Sequence, residues 1–554
     1  MNELVSPRPA ATLIIVRDGE KGLEVLLAEK TNTVNFAAGA FVFPGGAVDA
    51  DDKVGDLFEL SPNLNDQEAS RRLGIRQDGL SYWIAALRES FEEMGLLFAR
   101  RADGNLFDPQ TLQQPIETIR SRLERGEITF QNFLKKYQLS LATDELHYFS
   151  HWITQAGRPR RYDTRFFIAR YPKEQNLSHD GNELVSHLWV EPKRAIEKGN
   201  RGEISLMFPT LKTLEQLCEF SNVSEALDFA RSLRPVSPMN PRISIGVGGK
   251  KLLVPGDFAY AEVGKLDPDQ KGTASRDIVP GVEVRLSNSL VRITAPNPSV
   301  MTGPGTNSYV IGDTEVGFTI IDPGPNIPEH IQKLKDYCED KLRAIVCTHS
   351  HLDHSPAASR LRDEFDVPLV GMKAKFPDRQ DDSFSPDLIP EDGVPLEVCG
   401  GRLVPIYTPG HASNQFCYLD ANDRILFTGD HVMQGSTVVI NPPDGDMADY
   451  FNSLEKLRDL SFDWIAPGHG FLMENPNEVI DRLLAHRKKR EGKVLKALDV
   501  SGGGTLSDLV VHAYDDVSRE LHRLAERSLL AHLLKLAREG VASEENSYWS
   551  VVKK

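Results

Sequence analysis

The feature that most constrains this chain is an apolar stretch that runs directly into a dense group of metal-ligand side chains. The segment RAIVCTHSHLDHS (343–355) is typical of a buried strand and then presents His349, His351, Asp353 and His354. Alternate side chains of an extended segment point the same way, so His349 and His351 should lie together, with Asp353 and His354 beside them. Such a mixture of ligands suits zinc or iron better than magnesium, which prefers oxygen ligands.

Three further candidate ligands follow later in the chain. They are His411 in TPGH, Asp430 in FTGD and His469 in APGHG, each after an apolar stretch and within a glycine turn. Glycine lets the backbone turn sharply, so the ligand can point inward from the end of its strand. A lone histidine is more often a hydrogen-bonded structural residue, but four sites in this order favour a shared metal centre. The sequence therefore predicts two metal ions held by seven side chains.

The order HSHLDH, TPGH, TGD and PGHG resembles the metallo-β-lactamase superfamily, most closely its glyoxalase-II-like branch that contains β-lactamase-like protein 2. Segments 295–312, 320–325 and 429–457 are also similar to that branch, and the resemblance covers about 285–490. It implies an αββα sandwich with two Zn²⁺ ions, or Fe or Mn, and with Asp322 orienting the ligand loop. The implied metal ligands are His349, His351 and His411 for the first ion, Asp353, His354 and His469 for the second, and Asp430 as the bridge between them.

A site with two neighbouring cations of this kind predicts that the protein is a hydrolase. They hold a bridging water and lower its pKa toward ~7, and the hydroxide attacks a carbonyl or phosphoryl centre. Asp353 and Asp430 are the candidate catalytic carboxylates of this half. A thioester, ester, lactone or phosphodiester would each fit. Iron oxygenases that act on persulfides share these ligands and stay an alternative, whereas flavin-dependent di-iron proteins usually have a carboxylate where His351 stands.

A second constellation lies near the N-terminus, where FVFPGGAVD (41–49) is followed by ALRESFEEMGLL (86–97). Glu89, Glu92 and Glu93 have the spacing that places three carboxylates on one helix face. Like charges so close repel one another unless cations lie among them. The pattern indicates a Mg²⁺ or Mn²⁺ site suited to a diphosphate, with a solvated acidic helix face as the simpler interpretation.

This arrangement resembles a Nudix hydrolase, because Arg88, the three glutamates and Gly95 match half of the Nudix box and Gly45 and Gly46 match its glycine start. Asp52 stands where the family has Glu, and residues 53–87 intervene. Segments 26–46 and 158–169 are similar to the coenzyme-A diphosphohydrolase branch, with Lys30 at a position where Arg is more usual. The resemblance implies that Glu92 and Glu93 hold the metal, that Glu89 is a ligand or the catalytic base, and that Arg88 orients the glutamates. Candidate phosphate contacts, each individually more typical of an ordinary surface residue, are Arg160, Arg161 and Arg165.

The fold class expected from these patterns is α/β (α+β). It combines an N-terminal Nudix α/β/α sandwich, a C-terminal αββα metallo-β-lactamase sandwich and a small helical extension. The expected divisions are a Nudix-like domain at 1–235 with an insertion at 53–87, a Nudix extension and linker at 236–285, a metallo-β-lactamase-like domain at 286–478 and the helical extension at 479–554.

The composition of the chain disfavours some classes of binding partner. A formal net charge of −16 argues against nucleic acid as the default partner. The five scattered cysteines, the lack of a signal pattern and the lack of an apolar run of ~18 residues predict a cytoplasmic protein without a membrane partner. Nothing in the sequence assigns an oligomeric state.

Three functions remain open at this stage. The first is a bifunctional hydrolase for a small molecule such as acyl-coenzyme A or another nucleotide derivative, since acyl-coenzyme A contains both a thioester and a diphosphate. The second is a single-strand endoribonuclease of the β-lactamase-like protein 2 type, in which HRKKREGK (486–493) would follow RNA phosphates. A solvated helix face is the simpler interpretation of that stretch. The third is a hydrolase with a non-catalytic Nudix sensor.

Overall fold

The computed structural model describes residues 5–31, 38–112, 114–179, 184–232, 235–435 and 437–552. The chain divides into two compact units, Met1–Arg242 and Ile243–Lys554, called here the first and second units. Part of the segment 26–46, for which a coenzyme-A signature is expected, lies outside the described residues. Within the described ranges, no helix has both the length and the apolarity required to cross a membrane.

The first unit is built on one mixed sheet. Its central strand β1 pairs in parallel with β8 and antiparallel with β2 and β4, and a separate short pair is formed by β5 and β6. The strands are β1 (Arg8–Gly19), β2 (Gly22–Lys30), β3 (Ala40–Val42), β4 (Gly45–Ala47), β5 (Ala99–Arg100), β6 (Ser140–Leu141), β7 (His147–Ile153), β8 (Tyr162–Arg170), β9 (Leu184–Val190) and β10 (Ser205–Leu206).

Helices cover both faces of this sheet. Ala11, Leu13 and Ile15 of β1 join the core beneath α3, while the alternate residues Ile14 and Val16 are also fully buried on the opposite face, where α8 lies. A strand buried on both sides has the continuous apolar sequence seen here. The helices of the first unit are α1 (Gly55–Glu59), α2 (Asp66–Leu73), α3 (Leu80–Met94), α4 (Ile116–Glu124), α5 (Phe130–Lys136), α6 (Pro192–Asn200), α7 (Phe208–Leu217) and α8 (Val223–Arg231).

The second unit contains two six-stranded sheets, in which β13 to β18 and β19 to β24 follow chain order. The strands are β11 (Arg242–Ser244), β12 (Lys251–Leu253), β13 (Glu283–Arg285), β14 (Leu290–Thr294), β15 (Asn307–Asp313), β16 (Gly317–Ile321), β17 (Leu342–Val346), β18 (Leu369–Val370), β19 (Leu396–Val398), β20 (Gly401–Tyr407), β21 (Phe416–Asp420), β22 (Ile425–Gly429), β23 (Trp464–Pro467), β24 (Met473–Glu474), β25 (Ala542–Glu545) and β26 (Tyr548–Val551). The helices are α9 (Tyr260–Leu266), α10 (Pro328–Cys338), α11 (Pro356–Phe365), α12 (Met447–Arg458), α13 (Pro476–Ser501), α14 (Leu506–Ala513) and α15 (His522–Arg538).

Alternation along the strands produces the four layers of this unit. In β15, Tyr309 and Ile311 enter the core between the sheets, whereas Val310 packs with residues of α10 and α11. In β22, Phe427 joins the core between the sheets and Leu426 packs with residues of α12 and α13. Successive side chains of a strand point to opposite faces, so each sheet has a helix-covered face and a face against the other sheet. The expected αββα sandwich is confirmed.

The C-terminal extension begins within a continuous helix, since α13 runs through the expected boundary at 478. Its helices α13, α14 and α15 share an apolar core with Trp549 of β26. The antiparallel hairpin formed by β25 and β26 was not expected from the sequence, which indicated helices alone.

The division between the units also differs from the expected one. Residues 243–285, expected as extension and linker, belong to the second unit. Arg292 of β14 donates to both carboxylate oxygens of Glu262 in α9, at 2.6 and 2.9 Å, and each residue is only 1% exposed. The same carboxylate accepts the backbone N–H of Leu472. This buried ion pair ties the segment into the sandwich.

Candidate metal centre

The predicted ligands of the second unit all follow strands at one end of the sandwich. His349 and His351 come directly after β17, and His411 follows β20. Asp430 and His469 stand just beyond β22 and β23, which pair in parallel. Parallel neighbours end at the same edge of a sheet, which brings these two side chains together despite 38 intervening residues.

The first ligand group consists of His349, His351 and His411. Nδ1 of His351 lies 2.9 Å from Nε2 of His349 and 3.0 Å from Nε2 of His411. Two nitrogens bound tetrahedrally to one zinc ion at ~2.0–2.1 Å stand about 3.3 Å apart. The three imidazoles thus already have nearly the separation that a common ion requires.

The second ligand group consists of Asp353, His354, Asp430 and His469. Asp430 Oδ1 lies 3.2 Å from Nε2 of both His354 and His469, and its Oδ2 lies 3.7 Å from Nε2 of His411 in the first group. Asp353 Oδ2 is 3.3 Å from His469 Nε2. His354 Nε2 and Asp430 Oδ1 are buried without hydrogen-bond geometry, as expected of atoms directed at a common third position. The structure therefore brings all seven predicted side chains together.

The other ring nitrogen of four ligands has a fixed partner, which sets the orientation of each ring. The contacts of Nδ1 are His349 with Thr348 Oγ1 at 3.0 Å, His354 with Asp322 Oδ2 at 2.9 Å, His411 with the Val439 carbonyl at 2.8 Å, and His469 with the Gly305 carbonyl at 3.1 Å. Asp322 also accepts the backbone N–H and the hydroxyl of Thr348, both at 2.7 Å. It thus holds both ends of the ligand loop, as the resemblance implied.

A buried arginine supports this arrangement from the extension. Arg487 of α13 is 1% exposed and donates a hydrogen bond to the carbonyl of Val438. The next carbonyl, that of Val439, is the partner of His411 Nδ1. The orientation of His411 therefore depends on a segment that α13 holds in place.

The charges of the cluster favour cation binding. Burial lowers the pKa of His351 to about 3 and holds that of His349 well below its usual range, so both imidazoles are neutral. Burial also opposes protonation of His469, but Asp430 and Asp353 outweigh it and raise its pKa to about 9. The negative charge of Asp430 is then balanced by protons on its neighbours. A divalent cation would replace those protons, so the donor set fits a pair of metal ions.

Glycine is required at Gly468, between β23 and His469. A Cβ atom there would lie 2.7 Å from both Asp430 Oδ1 and His354 Cε1. Real Cβ atoms do not approach so closely, so any larger residue would displace two ligands. The glycine turn noted in the sequence is therefore needed for close approach of the backbone.

The two ligand groups open into a cavity of about 230 Å³. Apolar side chains in its lining are those of Met301, Leu352, Met433 and Val439. Two cationic side chains, Arg379 and Arg527, also line it. Neither arginine has a local signal in the sequence, because each is separated from the ligand motifs.

In the first unit, Arg88 organises the acidic helix face. It donates to both oxygens of Asp52, each at 2.9 Å, and also to Glu89 at 2.9 Å and Glu92 at 2.8 Å. Asp52 is 1% exposed and is paired with Arg88 of α3 in spite of the residues that intervene between them. Arg88 thus orients two of the three glutamates, as the resemblance implied.

Glu93 and the glycine pair complete this site. Glu93 accepts the backbone N–H of Gly45 at 2.8 Å, and a Cβ at Gly46 would lie 2.4 Å from Glu89 Oε1. Burial raises the pKa of Glu89 to about 7 in spite of Arg88, and burial also raises the pKa of Glu92. A cation among these carboxylates would relieve both effects, so the donor set fits Mg²⁺ or Mn²⁺. Their oxygens are not among the close-set ligand groups found in the described residues.

The candidate phosphate contacts of the first unit have different surroundings. Arg165 is 4% exposed and pairs with Asp163 and His151, so it is part of a buried cluster. Arg161 donates to the carbonyls of Thr154 and Val5, and Arg160 is exposed. Of the three, only Arg160 therefore retains the surroundings of a free surface cation.

Several basic side chains of the stretch 486–493 are buried or paired with acidic residues. Arg487 and Arg490 are 1% and 8% exposed, and Arg490 and Lys493 pair with Asp516. Lys488 and Lys489 stay exposed. The run of positive charge in the sequence therefore does not form a continuous basic surface.

Models of three known protein families match parts of this chain. The family model of the metallo-beta-lactamase superfamily matches residues 301–469, and that of the NUDT19 Nudix domain matches residues 64–217. A third, the beta-lactamase associated winged helix domain, matches residues 505–549, which include β25 and the first half of β26.

Curated relatives match either half. The beta-lactamase-like protein 2 homolog of Caenorhabditis elegans is 31% identical over 49% of this chain and 90% of its own length. The atrochrysone carboxyl ACP thioesterase of Aspergillus fumigatus is 29% identical over 44% of this chain and 79% of its own. The acyl-coenzyme A diphosphatase NUDT19 of Xenopus laevis is 28% identical over 45% of this chain and 73% of its own. The chain therefore belongs to the metallo-β-lactamase superfamily, as a hydrolase of that fold fused to a NUDT19-type Nudix domain.

Proposed function

We propose that the second unit hydrolyses the thioester of an acyl-coenzyme A, and that the first unit cleaves the diphosphate of the same class of molecule. The observation that carries the proposal is Asp430, which belongs to the second ligand group, places its other oxygen 3.7 Å from His411 of the first group, and lines a cavity with both apolar and cationic side chains. An acyl chain suits the apolar side chains and a phosphorylated group suits the cations. A relative named as a carboxyl ACP thioesterase supports thioester hydrolysis, and a relative named as an acyl-coenzyme A diphosphatase supports cleavage of the coenzyme A diphosphate.

In the second unit, His349, His351 and His411 would hold one divalent ion and Asp353, His354 and His469 the other, with Asp430 between them. Two Zn²⁺ ions, or Fe or Mn, would supply the Lewis acidity that activates water and stabilises negative charge on the thioester oxygen. The chain's own contribution is to fix the orientation of each ligand through its outer partner. The apolar lining residues exclude water from the acyl group.

In the first unit, Glu92 and Glu93 would hold Mg²⁺ or Mn²⁺, which would polarise the diphosphate. Glu89 would be either a third ligand or, where it stays free of the cation, the base: burial raises its pKa to about 7, which suits it to accept a proton from water near neutral pH. Arg88 pairs with Glu89 and Glu92 and so keeps these two carboxylates side by side. Asp52 pairs with the same guanidinium group and holds it in place.

The test is to incubate the full-length protein, supplied with Zn²⁺ and Mg²⁺, with octanoyl-coenzyme A. Free thiol is measured with a thiol reagent, and 4′-phosphopantetheine derivatives are measured by mass spectrometry. We expect both products from the wild type. Asp430→Asn should lower thiol release at least about 100-fold, because it alters the carboxylate expected to lie between the two ions.

Glu92→Gln provides the matched control, since it should abolish formation of 4′-phosphopantetheine derivatives and spare thiol release. The absence of both products from the wild type would refute the proposal. Release of thiol alone would instead make the first unit a non-catalytic ligand sensor.

A further inference from the structure

The two arginines that line the metal cavity differ in their partners. Arg379 lies 3.8 Å from the carboxylate of Asp378. Arg527, which α15 contributes from the C-terminal extension, is partly buried and has no hydrogen bond, ion pair or ring contact within the described ranges. A guanidinium that has lost part of its hydration without gaining a partner is unfavourable. An anion bound in the cavity would compensate for that loss.

The carboxylate of Asp444 in the same lining does not serve as that partner. Asp444 accepts from Gln380 Nε2 at 3.1 Å, from the backbone N–H of Ser413 at 3.1 Å and from the Ser413 hydroxyl at 2.5 Å. Asp353 and Asp430 are engaged with the ligand histidines. The positive charge of Arg527 is therefore available to a molecule that enters the cavity.

We infer that Arg527 binds a phosphate of the substrate's coenzyme-A portion and thereby positions the thioester beside the ligand groups. This inference rests on the proposed thioester hydrolysis. Guanidinium groups bind phosphate through two parallel hydrogen bonds, which fix direction as well as distance. The apolar residues of the lining, among them Met301, Leu352 and Met433, are left for the acyl chain. A residue of the extension then determines which thioesters the sandwich accepts.

The experiment compares three octanoyl thioesters with the full-length protein: those of coenzyme A, of 4′-phosphopantetheine and of N-acetylcysteamine, which has no phosphate. For Arg527→Gln we expect KM to rise about 10–100-fold for the phosphorylated thioesters, the effect of losing a charge-assisted hydrogen bond, while kcat changes little. Hydrolysis of the N-acetylcysteamine thioester should be unchanged. Arg527→Lys should restore part of the loss, since it keeps the charge without the fork of donors.

Arg523→Gln is the matched control. Arg523 lies one turn earlier in α15, is exposed and is not part of the cavity lining, so this variant removes the same charge without removing a cavity contact. It should leave all three KM values unchanged. An equal effect of both variants would show that only long-range charge matters and would overturn the inference.

The inference also fails if Arg527→Gln changes the KM values of all three thioesters alike or changes none of them.

If the wild type hydrolyses no thioester, the proposed function fails and the inference is tested by calorimetry with 4′-phosphopantetheine, which lacks a diphosphate. Weaker binding by Arg527→Gln than by the wild type would then sustain it, and equal binding would refute it. Cleavage of a single-stranded RNA that depends on Arg527, with thioesters unaffected, would assign the anion to RNA and overturn the inference.

Discussion

Among single residues, Asp322 has the widest influence on the ligand loop. Its two oxygens hold the N–H and hydroxyl of Thr348 and the Nδ1 of His354, although it precedes this loop by 26 residues. Its backbone has φ of 51°, a conformation that side chains other than asparagine and aspartate rarely adopt. These three buried contacts hold Asp322 in a backbone conformation that is otherwise unfavourable.

We predict that Asp322→Asn weakens zinc binding by about 10–100-fold, because an amide nitrogen would face the Thr348 hydroxyl and the His354 ring in place of an acceptor. Competition with a chelator of known affinity measures the change without relying on activity. Asp336→Asn, on the exposed side of α10, should bind zinc like the wild type. Equal affinity of Asp322→Asn and the wild type would show that Thr348 alone orients the loop.

The residues predicted from the sequence are those whose signal is local. Four of the ligands, His349, His351, Asp353 and His354, lie within six consecutive positions, and the later ligands each stand in a glycine turn after an apolar stretch. Arg527 has no such signature, because its importance arises only when α15 packs beside the cavity. A motif reveals the chemistry of a site, whereas residues that select the substrate depend on tertiary packing.

At the scale of elements, the buried pair between α9 and β14 holds segment 243–285 in the second unit. Arg292 and Glu262 are each 1% exposed, so neither charge is compensated by water. Removing one member of a buried pair leaves the other charge without a partner, which is more costly than the net contribution of the pair itself.

Glu262→Gln should therefore lower the free energy of unfolding of the second unit by about 3–5 kcal/mol. Hydrogen exchange of the full-length protein at increasing urea concentrations, read by mass spectrometry in peptides of β14 and β15 from the second unit, provides the measurement. Glu397→Gln removes one member of the exposed pair with Arg402, whose side chains are 75% and 67% exposed, and should leave that free energy unchanged. A shift no larger than that of this control would mean that the pair contributes little to stability.

The composition of segment 236–285 suggested a solvated linker for a physical reason. Its proline, glycine and aspartate residues are typical of loops, but Asp267 organises part of the segment into an ordered turn. Its carboxylate accepts the N–H groups of Lys271, Gly272 and Thr273. The strands of the final hairpin, four residues each, were missed because they are too short to show a clear period.

At the scale of the whole molecule, the net charge of −16 and the engaged arginines of 486–493 both disfavour RNA as a substrate. A protein that neutralises 6–10 phosphates loses about 10³–10⁵ in affinity between 50 and 200 mM salt. The second unit has no basic surface of that extent along this stretch.

We predict that a single-stranded RNA oligonucleotide binds weakly and with a shallow dependence on salt, as measured by fluorescence anisotropy at 50 and 200 mM. Replacement of the two exposed lysines, Lys488→Gln together with Lys489→Gln, should leave that binding unchanged. Tight binding that falls steeply with salt and is lost in the double variant would restore the ribonuclease alternative.

The contact of Arg487 with the Val438 carbonyl limits where the chain can be truncated without loss of the metal centre. A fragment that ends at residue 478, the domain boundary expected from the sequence, would cut through α13 and lack this arginine. It would keep every ligand, yet the support behind His411 would be gone. Any truncated form meant to retain the dinuclear centre should therefore extend beyond Arg487, and insertions that interrupt α13 should be harmful even far from the cavity mouth.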